Sequence, residues 1–386
     1  MTDFTEPLTA SSPDPAASRD GAGADRALLE VRDLRVTFTR GGRRVHAVNG
    51  LSYRLRAGEM LAIIGESGSG KTVASRTLMG LLPPSAQVSG SVLFDGTELV
   101  GLPEDEIRPL RGAEIAMVFQ DPARSLNPTM KIGKQITEAV RERGGVTRAE
   151  AKERAIELLR LVHLPAPERR FHEYPHQLSG GMRQRVVIAI ALAGEPRLLI
   201  ADEATTALDV TTQAQIMALL LELQDRLGMA VIMISHDLAL AASYAQHVVV
   251  MYAGRAVEYA TAGQLFAGVR MPYTRALLGA IPRLERPPHS PMPVISGQPP
   301  DPAALPEGCP FRPRCDVATD ECGDAPPFLE HEPGHWWACW HGGAVPSADA
   351  TDTGTTAHGS PRSSGGGHGP DDAHDKTAAG TTARTE

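Results

Sequence analysis

Short runs of consecutive apolar residues alternate along the chain with longer segments whose apolar positions recur at helical spacing. The runs Met60–Ile64, 198–201 and 230–234 are uniformly apolar, which is typical of strands buried on both faces of a parallel sheet. The segments 147–163 and 211–227 have the spacing of amphipathic helices. The pattern therefore predicts an α/β fold built on a parallel sheet.

Local signals fix several of the predicted helix ends. Thr147 and Glu150 form a capping-box pair at the start of the first amphipathic helix. Gly228 is expected to stop the second, because glycine readily takes the left-handed conformation that ends helices. A further apolar helix is predicted over 73–82, shortly after the first strand.

The amino-acid composition is that of a packed globular protein. Of 386 residues, 42% are hydrophobic and 4% aromatic, so the core must rest on aliphatic side chains. The net charge of −8 argues against a dedicated nucleic-acid binder. The longest apolar stretch, 186–193, is less than half of the roughly 18–20 residues that cross a bilayer. With no secretory signal in residues 1–25, we expect a cytosolic protein.

The two ends of the chain differ in composition from its middle. Residues 1–25 and about 346–386 are poor in apolar residues, so we expect both to be disordered tails. Between them we expect a main domain at 26–270. A small, irregular, proline-rich module is expected at 271–345, which holds all four cysteines and all three tryptophans.

A glycine-rich loop follows the first apolar strand and matches the phosphate-binding pattern G-x-x-x-x-G-K-[ST]. Backbone N–H groups of such a loop point at phosphate oxygens, and the following helix adds its dipole. The lysine would reach the β- and γ-phosphates, and the threonine hydroxyl would bind Mg²⁺. The loop is Gly65-Glu66-Ser67-Gly68-Ser69-Gly70-Lys71-Thr72.

Two adjacent acids end a second apolar strand. Asp202 is expected to hold Mg²⁺, and Glu203 is expected to polarise the attacking water as general base. The alternative is that both are solvated residues at a strand end. Paired with a phosphate loop, they indicate nucleotide hydrolysis.

A third motif, Leu178-Ser179-Gly180-Gly181-Met182, opens another helix and offers a second anion site. With the two preceding motifs it resembles the ABC ATPase family, whose signature normally reads LSGGQ. The resemblance covers about residues 28–270 and implies a P-loop NTPase core with a helical subdomain at about 121–195. It also implies head-to-tail pairing, with ATP between the loop of one subunit and residues 179–182 of the other.

Four more residues fall at family landmarks. The resemblance implies that Gln120 senses the γ-phosphate, that Asp209 of the sequence Ala207-Leu208-Asp209 lies at the dimer interface, and that His236 is the switch histidine. Phe38 falls where the family has an aromatic residue that stacks on adenine. The alternative is that Phe38 is a core residue of a strand.

Two positions depart from the family pattern. Met182 replaces the usual signature glutamine, at a position where the backbone dominates, so we expect little loss. Ala204 replaces the proline that commonly follows the catalytic glutamate, which would loosen the turn and leave the chemistry in place.

Other features narrow the class of ABC machine. Exporters usually fuse membrane helices to the ATPase, repair proteins carry long insertions, and translation factors carry two cassettes, none of which this sequence has. Several longer stretches of the sequence resemble the oligopeptide/dipeptide importer ATPases of the type with four cysteines. Importers of nickel and glutathione share much of this pattern. The matching runs include Gln120-Asp121-Pro122, Tyr174-Pro175-His176, Met251-Tyr252-Ala253-Gly254-Arg255 and Pro272-Tyr273-Thr274.

The resemblance also implies partners. They are a second ATPase subunit, for which a different chain is the leading interpretation, two membrane permeases and an extracytoplasmic solute-binding protein. The chain would then lie at the cytoplasmic face of the membrane as a peripheral subunit. The competing hypothesis is a soluble regulatory or repair ATPase, and the coupling segment 120–128 favours transport.

The four cysteines, Cys309, Cys315, Cys322 and Cys339, have the spacing C-x₅-C-x₆-C-x₁₆-C. Four thiolates can hold Zn²⁺ or an iron–sulfur cluster, and the lack of a C-x-x-C pair weakens zinc. The resemblance implies that some family members carry a [4Fe–4S] cluster here. The alternative is four reduced thiols in a small core. A centre would be structural, since nothing nearby indicates electron transfer.

Overall fold

The computed structural model describes residues 26–204, 208–281 and 294–342. The tails predicted at 1–25 and 346–386 lie outside these residues, as does Ala207. Within the described part of the chain, the strands are β1 (Leu29–Arg40), β2 (Arg43–Leu55), β3 (Met60–Ile64), β4 (Ala86–Phe94), β5 (Thr97–Glu98), β6 (Ile115–Val118), β7 (Leu198–Asp202), β8 (Ala230–Ser235), β9 (His247–Tyr252), β10 (Arg255–Thr261), β11 (Leu329–Glu332) and β12 (His335–Trp337).

The strands form two sheets. An antiparallel sheet has the order β2-β1-β4-β5, and a larger mixed sheet has the order β11-β12-β10-β9-β3-β8-β7-β6. In the larger sheet, β9, β3, β8, β7 and β6 are parallel. Every residue of β3, β7 and β8 is buried, which explains their uninterrupted apolar sequences and confirms the predicted parallel sheet.

The helices lie between these strands in sequence. They are α1 (Lys71–Leu78), α2 (Glu104–Ile107), α3 (Pro122–Ser125), α4 (Ile132–Glu142), α5 (Arg148–Leu161), α6 (Pro167–Arg170), α7 (Gly180–Ala191), α8 (Val210–Leu227), α9 (Leu238–Tyr244), α10 (Ala262–Ala267) and α11 (Pro272–Gly279). Helices α3 to α7 follow one another without an intervening strand, between β6 and β7. This stretch coincides with the helical region expected at about 121–195.

The predicted helix ends agree with the structure in two places and differ in one. The Thr147–Glu150 capping box is formed at the start of α5, and α8 ends at Gly228 in the left-handed conformation. Helix α1, predicted over 73–82, instead begins at Lys71 and ends at Leu78. Gly80, two residues beyond Leu78, has φ of 59°, the left-handed conformation that commonly ends a helix.

No helix in the described part of the chain is both long enough and apolar enough to span a lipid bilayer.

The cysteine-rich segment extends the larger sheet. Strand β12 pairs antiparallel with β10, and β11 then pairs with β12. Between β10 and β12, His335 Nε2 lies 2.9 Å from Glu258 Oε1, and both side chains are buried. Glu258 also accepts hydrogen bonds from the backbone N–H groups of Arg270 and Met271. A buried carboxylate with several donors therefore connects the segment to the body of the protein.

Replacing Glu258 by alanine is expected to reduce the free energy of unfolding by about 3 kcal/mol, because His335 and two backbone N–H groups would lose their partner inside the protein. Urea denaturation of the purified chain measures the change. Glu168→Ala is the matched control, since Glu168 pairs with Arg160 at the exposed surface and its removal should have little effect. Equal stability of Glu258→Ala and the parent would contradict this role.

Candidate nucleotide site

The register of three parallel strands brings the residues that were predicted to bind and hydrolyse nucleotide to one edge of the sheet. Ile64 of β3 lies opposite Ser235 of β8, and Ile234 of β8 lies opposite Asp202 of β7. The residues that follow these positions therefore emerge together. They surround a cavity of about 720 Å³ whose lining includes Glu66, Ser67, Gly68, Gly70, Lys71, Thr72, Gln120, Glu203 and His236.

The loop at 65–72 runs directly from β3 into α1. Gly70 caps α1 with φ of 101°, a backbone conformation that residues other than glycine rarely adopt. A Cβ atom at Gly70 would lie 2.2 Å from the carbonyl oxygen of Ala47. Glycine is thus required both for the backbone turn and for the close packing of the loop against β2.

Lys71 is buried beneath the loop. Its Nζ donates to the carbonyl oxygens of Gly65 at 2.7 Å and Glu66 at 2.8 Å, and lies 3.4 Å from Ser69 Oγ. Burial lowers the pKa of Lys71, and the carboxylates of Glu203, Asp202 and Glu66 oppose that shift. The lysine is therefore a desolvated donor held inside the loop, where it can act on an anion bound by the loop.

Thr72 and Asp202 form a pair of oxygen ligands. Thr72 Oγ1 donates to Asp202 Oδ1 at 3.2 Å. The pKa of Asp202 is raised above its usual value by burial, and the hydrogen bond from Thr72 partly opposes this shift. A hydroxyl and a carboxylate at this separation are the type of oxygen donors that Mg²⁺ prefers, so the residues present fit a magnesium ion.

Glu203 lies between Gln120 and His236. Its Oε2 accepts from Gln120 Nε2 at 2.6 Å, and its Oε1 lies 4.0 Å from His236 Nδ1. Glu203 has φ of 49°, an uncommon backbone conformation for a non-glycine residue that turns it out of the strand direction. Its N–H still donates to Ile234 O of β8. The carboxylate thereby faces the cavity, with the amide of Gln120 and the imidazole of His236 beside it.

Phe38 does not line the cavity. It is a partly buried residue of β1 packed against the core of the antiparallel sheet. Its antiparallel neighbour on β2 is Val45, which does line the cavity together with Ala47. The apolar surface nearest the loop thus comes from β2, one strand away from the residue that the sequence suggested.

The signature residues lie apart from this cavity. Ser179 caps α7, its hydroxyl accepting from Met182 N at 3.3 Å. Asp209 caps α8 and binds both the N–H and the hydroxyl of Thr212. A Cβ atom at Gly181 would lie 2.6 Å from Thr212 Cγ2, so the starts of α7 and α8 are packed together. Within one chain, residues 179–182 and the loop at 65–72 do not form one pocket.

Several cavity and loop contacts were not evident from the sequence. Pro299 and Pro302, from the proline-rich segment, line the cavity. Arg314 forms two hydrogen bonds with Glu66 of the loop, at 2.7 and 3.0 Å. These residues are more than 200 positions from the loop, and no local pattern relates them to it.

The four cysteines surround one narrow cavity of about 10 Å³. All four are free thiols, and burial raises the pKa of Cys309 and Cys315 and raises that of Cys339 to about 11. Within the described residues, no group of three or more His, Cys, Asp or Glu side chains is arranged to hold a metal ion. The donor types suit zinc or an iron–sulfur cluster, but their present arrangement does not.

Two family descriptions match the sequence. Residues 48–206 match the ABC transporter family, and residues 257–322 match the C-terminal region of oligopeptide/dipeptide transporters.

Individual proteins are similar over most of the chain. The oligopeptide transport ATP-binding protein OppD of Escherichia coli (strain K12) is 50% identical over 314 residues, which is 81% of this chain and 93% of that protein. The dipeptide transport ATP-binding protein DppD of Haemophilus influenzae is 49% identical over 306 residues, 79% of this chain and 92% of that protein. A dimeric, post-hydrolysis structure of the ATP-binding cassette MJ0796, bound to ADP and Pi, has a TM-score of 0.55 at 29% identity and covers 61% of this chain and 98% of its own.

Proposed function

This chain belongs to the ABC transporter family and is an ATPase, and from that premise we propose that it powers an importer of oligopeptides or dipeptides. The convergence of Lys71, Thr72, Glu203 and His236 on one cavity is the observation that carries the ATP-hydrolysing part of this function. Relatives named for oligopeptide and dipeptide transport, alike over about four fifths of the chain, favour peptides over nickel or glutathione as cargo.

The loop at 65–72 is proposed to bind the phosphates of ATP. Its backbone N–H groups and Lys71 would contact the phosphate oxygens, and Val45 and Ala47 of β2 supply apolar surface for the rest of the nucleotide. Thr72 and Asp202 would hold Mg²⁺, which neutralises phosphate charge when bound. Phe38 of β1, the neighbour of Val45, is proposed to be the aromatic residue that stacks on adenine.

Glu203 is proposed to be the general base of hydrolysis. A carboxylate beside the phosphate loop can accept a proton from water as that water attacks the γ-phosphate. Gln120, which donates to Glu203, would respond to the γ-phosphate, and His236 would support the transition state from the other side of the carboxylate. The 2.6 Å bond between Gln120 and Glu203 supports coupling between phosphate sensing and the base.

The signature Ser179-Gly180-Gly181-Met182 is proposed to complete the site of a second ATPase subunit. The start of α7 offers N–H groups to an anion, yet it does not line the cavity of its own chain. Head-to-tail pairing would place the start of α7 of one subunit against the nucleotide cavity of the other. The solved structure of MJ0796 is described as dimeric. Asp209, at the adjoining start of α8, would lie in that interface.

A groove beside the Gln120 region is proposed to receive the membrane permeases. It measures about 820 Å³ and lies between the sheet and the helical region, with Met117, Phe119, Ala139 and Ile190 among its lining residues. Phe119 is 39% exposed and directly precedes Gln120. Occupation of the groove by a permease helix would connect γ-phosphate sensing with transport. The chain would act at the cytoplasmic face of the membrane, with a binding protein outside that selects the solute.

In this proposal the ATPase domain spans 26–270, with its helical subdomain at 121–195, and the oligopeptide-importer module spans 271–345.

Replacing Glu203 by glutamine is expected to lower ATP hydrolysis by at least about 100-fold, because the amide cannot accept the proton from water. ATP binding should remain, and closed dimers should accumulate. Hydrolysis is followed by phosphate release, and association is followed by light scattering during gel filtration. Glu157→Gln, a surface carboxylate on α5, is the matched control and should hydrolyse ATP normally. Unchanged hydrolysis in Glu203→Gln would refute the assignment of the base.

The four cysteines are proposed to hold a metal centre, with a [4Fe–4S] cluster preferred to zinc. Four thiols around one cavity supply the donors that either centre requires. Burial raises the pKa of Cys309, Cys315 and Cys339, so metal binding would displace protons from these thiols. The cavity is narrow, so the side chains would have to turn to hold a metal. The role would be to stabilise a proline-rich segment that contains little regular structure.

Purification without oxygen tests the centre. A brown protein with broad visible absorbance and about four iron atoms per chain is expected, and Cys315→Ser should lose the colour. Elemental analysis provides the measurement. A colourless protein with stoichiometric zinc would exclude the cluster, and a protein with neither metal would exclude the centre.

A further inference from the structure

The phosphate loop at 65–72 contains a carboxylate that pairs with an arginine of the cysteine module, the segment 271–345 that holds the four cysteines. Glu66, its second residue, accepts two hydrogen bonds from Arg314 of the cysteine module, Nη1 to Oε2 at 2.7 Å and Nη2 to Oε1 at 3.0 Å. The Arg314 side chain is 4% exposed, so solvent does not screen this pair as it would a surface pair. The two residues are 248 positions apart.

A glutamate is an unexpected residue in a loop that binds anions. An unpaired carboxylate there would repel the phosphates that the loop is proposed to hold. Its charge is felt at the centre of the loop, since Glu66 is among the groups that raise the pKa of Lys71 against the larger, opposing effect of burial. Pairing with a guanidinium neutralises this charge.

Arg314 is itself held in place on several sides. Its guanidinium lies over the rings of Tyr252 and Phe311, at 5.8 and 5.9 Å from their centroids. Nη1 also lies 3.2 Å from Tyr252 Oη, and Nε donates to the carbonyl oxygen of Ser296 at 2.9 Å. A planar fork fixed by stacking and by hydrogen bonds presents both N–H groups to one carboxylate with little freedom to move.

The same group of residues fixes the backbone of the loop. The Tyr273 hydroxyl accepts a hydrogen bond from the N–H of Glu66 at 2.9 Å, and the rings of Tyr252, Tyr273 and Phe311 pack against one another. Ser296, bound by Arg314, begins the segment that carries Pro299 and Pro302 to the cavity wall. The module thus contacts the phosphate loop through Arg314 and lines the nucleotide cavity with Pro299 and Pro302.

We propose that Arg314 is a positioning residue for ATP: by neutralising and orienting Glu66, it makes the cysteine module part of the nucleotide site rather than an appendage. The inference rests on the proposed function of the loop at 65–72. It implies that changes in the module that displace Arg314 reduce nucleotide affinity, and that they do so through Glu66.

Isothermal titration of the full chain with ATP, in EDTA so that hydrolysis cannot proceed, tests the proposal. Arg314→Ala should weaken ATP binding about tenfold, within the usual range for coupling between sites. The matched control is Arg312→Ala, in the same turn two residues away, whose arginine is more exposed and lies 3.7 Å from Asp320. It should bind ATP within about twofold of the parent.

A double-mutant cycle separates action through Glu66 from a general loss of structure. In a Glu66→Gln background, Arg314→Ala should change ATP affinity by less than about twofold, because the charge that Arg314 neutralises is gone. Equal weakening in both backgrounds, or no weakening by Arg314→Ala alone, would overturn the proposal. If Arg314→Ala does not fold, Arg314→Lys replaces it, with a smaller loss expected since the charge is kept and the fork is lost.

The parent chain gives the remaining comparison. Failure of the parent to bind ATP would contradict the proposed function itself. Normal binding by both the parent and Arg314→Ala would contradict the positioning role of Arg314 and leave the proposed function intact.

Discussion

The parallel register of β3, β8 and β7 is the constraint on which the rest of the structure depends. It brings the ends of three strands, at Ile64, Ser235 and Asp202, together at the carboxyl edge of one sheet, although they lie far apart in sequence. A shift of one residue in β7 would turn every side chain of that strand to the other face and move Asp202 and Glu203 relative to the loop. All three strands are buried along their whole length, so such a shift would also disturb the packing on both faces.

At this edge, positive and negative side chains lie near one another. Lys71 lies within the loop near Glu66, Asp202 and Glu203, and Arg314 compensates Glu66 from outside. Polyphosphate binding adds negative charge, so an excess of carboxylates would oppose it. The site therefore needs the guanidinium of the distant module, and by the proposed pairing it also needs the signature of a second subunit. In the proposed pairing, each chain supplies part of a nucleotide site, and a second subunit supplies the rest.

Much of this arrangement could be predicted from the sequence, for identifiable reasons. Strands buried on both faces leave continuous apolar runs, and helix caps leave local pairs such as Thr147 with Glu150, so these elements were correctly expected. The loop, the acids and the histidine follow strands directly, and the sheet brings them together. The end of α1 was placed four residues too late, because apolar residues continue beyond Leu78 although the helix does not.

Long-range contacts of the proline-rich segment could not be predicted in this way. Pro299, Pro302 and Arg314 lie in a stretch without helical or strand periodicity, so nothing local indicates what they contact. For Phe38, the resemblance implied stacking on adenine, with a core residue as the alternative. In the structure its antiparallel neighbour Val45 lines the cavity, and strand pairing of this kind could not be predicted from the local sequence.

In the proposed pairing, one chain carries half of each catalytic site. The most direct test compares the ATP turnover of the isolated chain, shown to be monomeric by sedimentation, with that of the same chain assembled with a second ATPase subunit and the permeases. The monomer is expected to hydrolyse ATP at least about tenfold more slowly, because the signature and the phosphate loop would meet only between subunits. A monomer that turns over ATP as fast as the assembled complex would contradict it.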